Sequence, residues 1–383
     1  MNELIYLDYN ATTPLDERVL DSMMPFFKNQ FGNSSSTHQF GLNLNKVVKD
    51  AKYAVAELIN ADVKEIVFTS GATESINLAL KGIALTPGNI KKHIVTAQTE
   101  HKAVLDTCNF LESVGFEVTY LPVKADGLLS IDLFKQSIRK DTLAACIMLV
   151  NNETGVVQDV KSLSNICKEL GVLFICDATQ AVGKIPVDVQ KLGIDIIAFS
   201  GHKYYAPKGV GILYISKEVQ RTFKPQPLIH GGGHENGFRS GTLNVPAIVG
   251  IGKASEIALA EMEQNATYIG KLRDSLENQL LKVEGSFING SKSNRIYNTI
   301  NMCFPGIDAN VLIGQLKQIA ISNGSACTAA VVEPSHVLKA MGLQDDQSFG
   351  SLRISIGKYN TEKEIQVFID VLTLALKRLY ATI

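Results

Sequence analysis

The sequence predicts an α/β chain in two parts: a large unit around a mainly parallel sheet and a smaller α+β unit. Three observations predict it. Between residues 65 and 216, seven short β-rich runs alternate with helical stretches, and strands joined by crossover helices run parallel with both faces covered. After Gly285 the pattern changes to spaced strands with helices between them. At roughly 150 residues per domain, a chain of 383 residues has room for two or three units.

The β-rich runs are EIVFTS, HIVTA, FEVTYLPV, AACIMLV, VLFIC, DIIAFS and GILYIS. Helical spacing between turn residues predicts helices over 72–84, 102–114 and 162–170. The glycine-rich HGGGHENGFRSGT precedes a long helix over 245–283 that leaves the large unit. In the small unit, TINMCF, AIS and LRISI read as strands. The closing helix lines up Ile365, Phe368, Ile369, Leu372, Leu376 and Leu379 on one face. Residues 15–260 are assigned to the large unit, and 1–14 with 261–383 to the small one. The helices before Asn60 are expected to be shared with the small unit.

Composition excludes several classes of function. Lys plus Arg (37) and Asp plus Glu (38) nearly cancel, so no basic nucleic-acid face and no polybasic membrane patch is expected. The start MNELIYLDYN has no basic region followed by an apolar one, and no apolar run approaches the ~20 residues that cross a bilayer. A cytoplasmic protein is expected. The six cysteines contain no CxxC pair, which argues against a zinc ribbon or a disulfide framework. His230 and His234 are separated by three glycines, so a helical metal pair is not expected and no metal is assigned.

The chemistry concentrates at strand ends. SGHKYYAPKGVG follows the apolar run DIIAF, and open α/β sheets bind ligands at the carboxyl ends of their strands. Lys203 is the candidate there for a covalent bond to a carbonyl; the alternative is a solvated lysine in a turn. DATQ ends another buried run, where Asp177 is placed to hold the ring nitrogen of pyridoxal phosphate protonated. Its alternative is a helix cap. TSGATES opens a helix after EIVF, so Ala72 and Thr73 offer phosphate-binding groups, or simply cap that helix.

From YLDYNATTP through GATES, TEHKAV, NNETG, DATQ, SGHK and RSGT to GSACT and LRISIG, the chain resembles the pyridoxal-phosphate-dependent cysteine desulfurases of the NifS/IscS type, in the class-V aminotransferase group. The resemblance runs nearly end to end. It implies a type I, aspartate-aminotransferase-like homodimer that converts L-cysteine to alanine and holds the sulfur as a persulfide. It also implies that Lys203 carries the cofactor and Asp177 pairs with its pyridinium. Gln180 and Asn152 would contact the phenolate side or the substrate. Phosphate contacts are implied for Ala72, Thr73, Ser200 and His202, with Thr242 entering from the second subunit. His101 would lie over the ring as an acid/base; read alone, it is more simply a histidine satisfied by backbone at a strand end.

Cys327 is the implied nucleophile. It stands among Gly324, Ser325 and Ala326, unlike the cysteines in apolar runs, in a stretch expected to be loop-like before a helix starting near Glu333 or Pro334. A thiolate can take sulfur as a persulfide, whereas a serine oxygen cannot. Arg353 is the candidate clamp for the substrate carboxylate, since a planar guanidinium grips it at two points. Two positions depart from the family pattern: Asn236 stands where arginine is common, and Phe349 where histidine is common. A selenocysteine lyase or cysteine-sulfinate-type lyase on the same scaffold, or a sulfur-relay scaffold without turnover, are the competing readings. The expected partner is a sulfur-acceptor protein such as an iron-sulfur scaffold, and the sequence does not identify it.

Overall fold

The computed structural model describes residues 4–324 and 333–381. The strands in chain order are β1 (Ile5–Tyr6), β2 (Ile66–Thr69), β3 (His93–Ala97), β4 (Glu117–Leu121), β5 (Thr142–Cys146), β6 (Leu173–Asp177), β7 (Ile196–Ser200) and β8 (Gly211–Ile215). They continue with β9 (Phe287–Ile288), β10 (Thr299–Cys303), β11 (Ile319–Ala320) and β12 (Ser351–Ser355).

The large sheet has the order β2-β8-β7-β6-β5-β3-β4. From β4 to β7 every neighbouring pair is parallel, and β8 runs antiparallel to both β7 and β2. The reason is connection length: residues 201–210 are too few for the helical crossover that a parallel return needs. Apolar residues alternate between two clusters. Val95, Ala145, Phe174, Cys176, Ile197, Phe199 and Ile212 bury on one face, whereas Ile94, Cys146, Ile175, Ile196, Ala198 and Leu213 bury on the other. That double burial is why these strands read as unbroken apolar runs.

The helix Val245–Leu280 joins the two regions. Asn244 caps it by accepting the Ala247 N–H, and Pro246 sits in its first turn, where a missing N–H costs nothing. At 1.5 Å per residue it is about 54 Å long. Val245, Ile248, Ile251 and Ala254 bury in the large-sheet cluster. Ile269, Leu272, Leu276 and Leu280 bury instead against the antiparallel sheet β12-β10-β9. The closing helix, Glu362–Tyr380, starts at a Thr361/Glu364 capping box and buries Ile365, Phe368, Leu372, Ala375 and Leu376 in the same cluster. Ile369 and Leu379, at the margins of the expected stripe, are only partly buried.

Several expectations are corrected. The helices Glu17–Lys28 and Gln39–Leu58 are not shared with the small unit: Val19, Met23, Leu44, Val48 and Val55 bury in the large-sheet cluster. The helix expected near Glu333 or Pro334 starts at His336, because Ser335 caps it through the Leu338 N–H. The helix expected from 162 starts at Val160, capped by Asp159. The two-residue strands β1 and β9 escape the sequence because two residues carry no periodicity; β1 exists through its pairing with β11.

A buried ion pair ties the start of the chain to its end. Asp16 caps the helix Glu17–Lys28 and binds both Arg18 and Lys358, with Asp16 and Lys358 side chains 4% and 8% exposed. The Arg18 guanidinium, followed by Lys358, holds the Asp16 carboxyl well below the usual carboxylate range. Asp16→Asn should destabilise the protein by about 3 kcal/mol, at the low end for a broken buried pair because Glu261 lies 3.7 Å from the same Lys358 amine. The folded value of Asp16 is depressed, so its stabilisation is full above the unfolded value near about 4 and is lost as pH falls through the folded value. Denaturant unfolding of the variant and the wild type at pH 7 and at successively lower pH checks the size of the gap between the two curves and its narrowing as pH falls below about 4.

Candidate active site

A cleft of about 1370 Å³ opens where β2, β3, β5, β6 and β7 end. The loops after these strands contribute Thr73, His101, Asn152, Asp177 and Lys203, while Arg353 of β12 comes from the small sheet. Ala72, Gln180, Ser200 and His202 also line it. The N-terminal segment crosses between the two sheets and adds Asp8, Asn10 and Ala11.

Lys203 follows β7, and its Nζ donates to the carbonyls of Asn10 (2.7 Å) and Ala11 (2.8 Å). Burial, reinforced by Arg353, pulls its ammonium down to about 8. A large fraction is therefore free amine at mildly basic pH, the form that attacks an aldehyde. Asp177 ends β6 and is buried, with Oδ1 accepting the Thr179 N–H at 2.9 Å. Glu100 is fully buried and accepts the Met148 N–H at 2.7 Å; burial, reinforced by Asp177, pushes its carboxyl well above the usual range.

Anion-binding groups gather at the other end. The helix Ala72–Ala84 begins at Gly71 with no side-chain cap, so its first N–H groups face the cleft. Its first-turn carboxylate, Glu74, turns back onto the Ser70 N–H (2.8 Å) and Arg239 (3.0 Å). Gly211 at the start of β8 lets this loop sit close, since a Cβ there would lie 2.5 Å from Gly71 Cα. His202 pairs with Thr12 through Nδ1 (3.1 Å), and burial pulls its imidazolium down to about 4. It is neutral at pH 7 and meets an anion through a hydrogen bond, not a charge. An amine for an aldehyde, a carboxylate for a pyridinium and an uncapped helix start for a phosphate are the donor set that pyridoxal phosphate requires.

His101 lines the cleft and is exposed, and it also caps the helix Lys102–Ser113: Nδ1 accepts the Ala103 N–H at 3.0 Å. The backbone satisfies one side of the ring, as the simpler sequence reading expects, while the residue also lines the cleft. The cap assigns the proton of the neutral ring to Nε2, and the ring can take a second proton only by giving up that cap.

Arg353 is buried and not a surface residue; Nη2 pairs with Asp8 (2.7 Å) and Nη1 donates to the Asn152 carbonyl (3.2 Å). Its backbone pairs with Ser322, which ties the clamp candidate to the chain just before Cys327. Beside it, Glu153 accepts a hydrogen bond from Ser335, and burial raises its carboxyl to about 7. Cys327, with Ser325 and Ala326, lies outside the described residues. Thr242 is exposed and does not line the cleft.

Sequence reasoning missed Asp8, Asn10, Glu100, Glu153 and Lys184. Asp8 and Asn10 stand inside the quoted YLDYNATTP, Glu100 inside TEHKAV and Glu153 inside NNETG, which is the one signal they gave; Lys184 gave none. The departure at Asn236 has a local cause: its φ of 56° lies in the left-handed region, which asparagine tolerates better than most residues.

The class-V aminotransferase family model matches residues 5–368. The chain is 49% identical over 378 residues to the cysteine desulfurase IscS of Mannheimia succiniciproducens, an alignment covering 98% of this chain and 93% of that protein. Against the cysteine desulfurase IscS of Rickettsia felis it is 46% identical, with 96% and 90% covered. A solved NifS-like protein superposes with a TM-score of 0.91 at 40% identity, covering 98% of this chain and 99% of that one. SspA in complex with cysteine superposes at 0.82 with 38% identity, covering 93% and 100%. By the family model and by these relatives, the chain belongs to the class-V aminotransferase family, among the pyridoxal-phosphate-dependent cysteine desulfurases of the NifS/IscS type.

Proposed function

We propose that the protein converts L-cysteine to L-alanine and transfers the sulfur to Cys327, which holds it as a persulfide for delivery to an acceptor. The observation that carries this reading is the pairing of a depressed amine, Lys203, with a buried carboxylate, Asp177, in a cleft that also holds the buried guanidinium of Arg353. The cofactor, when bound, supplies an electron sink for the charge that develops at the substrate's α-carbon.

The chain's own residues do the rest. Asp177 keeps the ring nitrogen protonated, and Ala72, Thr73, Ser200 and His202 hold the phosphate. Gln180 and Asn152 orient the phenolate side and the substrate. Arg353 grips the substrate carboxylate with Asn152 beside it. Lys203, once displaced, moves the α-proton on its free amine, and His101 offers Nε2–H over the ring. The Cys327 thiolate then forms an S–S bond to the substrate sulfur as the C–S bond breaks. The bond pair goes to the β-carbon, which takes up a proton to become the methyl group of alanine.

The remaining cysteines do not compete for this role. Cys108, Cys146, Cys167, Cys176 and Cys303 are buried, and burial pushes their thiols up, Cys108 and Cys167 to about 12 and Cys303 to about 11. Held protonated, they are poor nucleophiles. The same reading makes the protein a cytoplasmic homodimer, with Thr242 completing the phosphate site of the second copy. The persulfide serves a sulfur-acceptor protein such as an iron-sulfur scaffold. Among the described residues, no helix is long and apolar enough to cross a membrane. The division into a large unit (15–260) and a small one (1–14 and 261–383) falls within the long helix, between Ala258 and Ile269, where its burial changes cluster.

Three outcomes test the proposal. Cofactor-free protein should take up pyridoxal phosphate at a rate that rises through about pH 8 and then levels, following the free-amine fraction of Lys203, and Lys203→Ala should give no covalent adduct; a normal adduct band in that variant would remove the lysine assignment. Arg353→Lys should raise KM for cysteine about 10- to 100-fold, the loss of a two-point charged contact, with kcat changing less. Cys327→Ser should bind cofactor and cysteine yet lose sustained sulfide release under a reductant. If its alanine production from cysteine is unchanged, the persulfide route is wrong, and if only selenocysteine is turned over in its presence, the lyase reading replaces it.

A further inference from the structure

One buried cation near the cleft has no part in the chemistry above. Lys184, on the turn after β6, is 7% exposed, and its Nζ donates to Gln180 Oε1 (2.6 Å) and Asn10 Oδ1 (3.5 Å). The charges that bear on it, Lys203 and Arg353, are both cationic. A lone buried amine of this kind destabilises a fold unless it is needed.

We propose that Lys184 is a positioning residue that locks the Gln180 side-chain amide with its NH2 end on the Lys203 side of the cleft. An amide is donor at one end and acceptor at the other, and nothing in its shape prevents it from turning over. Two partners prevent it here. An amine that donates must meet the amide oxygen, and a carbonyl that only accepts must meet the nitrogen: Gln180 Nε2 donates to the Asn10 carbonyl at 2.8 Å. Asn10 is itself pinned, with Nδ2 donating to Thr299 (2.9 Å) and the Asn152 carbonyl (3.2 Å), and Oδ1 accepting from Asn298 (3.1 Å). Its carbonyl also accepts the Lys203 amine at 2.7 Å. When Lys203 is committed to the cofactor, the Gln180 N–H is the donor left beside it for the cofactor's phenolate oxygen. Burial, then the two cations, pulls Lys184 down to about 7. Its ammonium form can only donate and so fixes the amide oxygen, whereas the neutral amine can also accept, and above about 7 the Asn10 carbonyl is the partner that still requires the amide nitrogen.

This inference rests on the reading that pyridoxal phosphate occupies the cleft. The test is a double-mutant cycle on the cofactor-loaded full chain, read by the pH midpoint of the bound cofactor's absorbance band. A donor to the phenolate stabilises its charge, so its loss raises the midpoint. Gln180→Ala should raise it by about half to one unit, Lys184→Met by a similar amount, and the double variant no further. Additive shifts, or a Lys184→Met midpoint within about 0.2 unit of wild type, would overturn the proposal. A merely structural role would lower thermal stability without this coupling to Gln180. If Lys184→Met does not fold, Lys184→Gln, whose shorter arm leaves the Gln180 oxygen without its donor, takes its place with the same outcomes. A wild type without a cofactor band would overturn the cofactor reading itself; a wild-type band with no Lys184 effect overturns only this one.

Discussion

The site depends on cations taken out of water and held mainly by neutral oxygens. Lys203 has two backbone carbonyls, Lys184 has two amide oxygens, and Arg353 has one carboxylate and one carbonyl. Neutral partners satisfy the donors without offsetting the charge, so desolvation wins and both amines fall below their ordinary values. The positive potential that remains has a use: the ligands expected here, a phosphate and an amino-acid carboxylate, bring the negative charge that the pocket lacks.

The N-terminal segment makes this arrangement possible. It pairs with β11 through Leu7 and then crosses toward the large sheet, so that Asp8 reaches Arg353 and the Asn10 carbonyl reaches Lys203 and Gln180. A few residues thereby touch Arg353 and Lys203 at once. Lys358 and Asp16 fasten the same segment from behind. Any shift of the small sheet against the large one must move this segment, and with it the hydrogen bonds of the reactive amine.

The sheet and the main actors were legible because they sit where local pattern and function coincide. DATQ and SGHK each end an apolar run, and such runs are strands buried on both faces, so Asp177 and Lys203 could be placed at strand ends with no contact known. Lys184, in AVGKIP, looks like any solvated lysine; its burial comes from Asn10 and Gln180, the first of them far away in the chain, and only tertiary packing brings them together. Glu100 is similar, since nothing in TEHK says that its carboxyl is fully buried against the Met148 backbone. His101 was ambiguous because it stands at a helix start that is also on the cleft: Nδ1 caps the helix and the residue lines the cleft.

Burying amines has a thermodynamic sign that bears on how the site is kept. A lysine whose folded value lies below its unfolded value of about 10.4 penalises folding fully below the folded value, and the penalty disappears as pH rises through the unfolded one. For Lys203 and Lys184 the full penalty therefore applies below about 8 and about 7, across the range where a cell operates. If Lys203 carries the cofactor as proposed, its share is relieved in the loaded enzyme, because the amine then no longer stands alone among carbonyls. The Lys184 share stays in the loaded enzyme. A residue that keeps costing stability after the cofactor is in place fits a role in orienting Gln180 better than a role in holding the fold together.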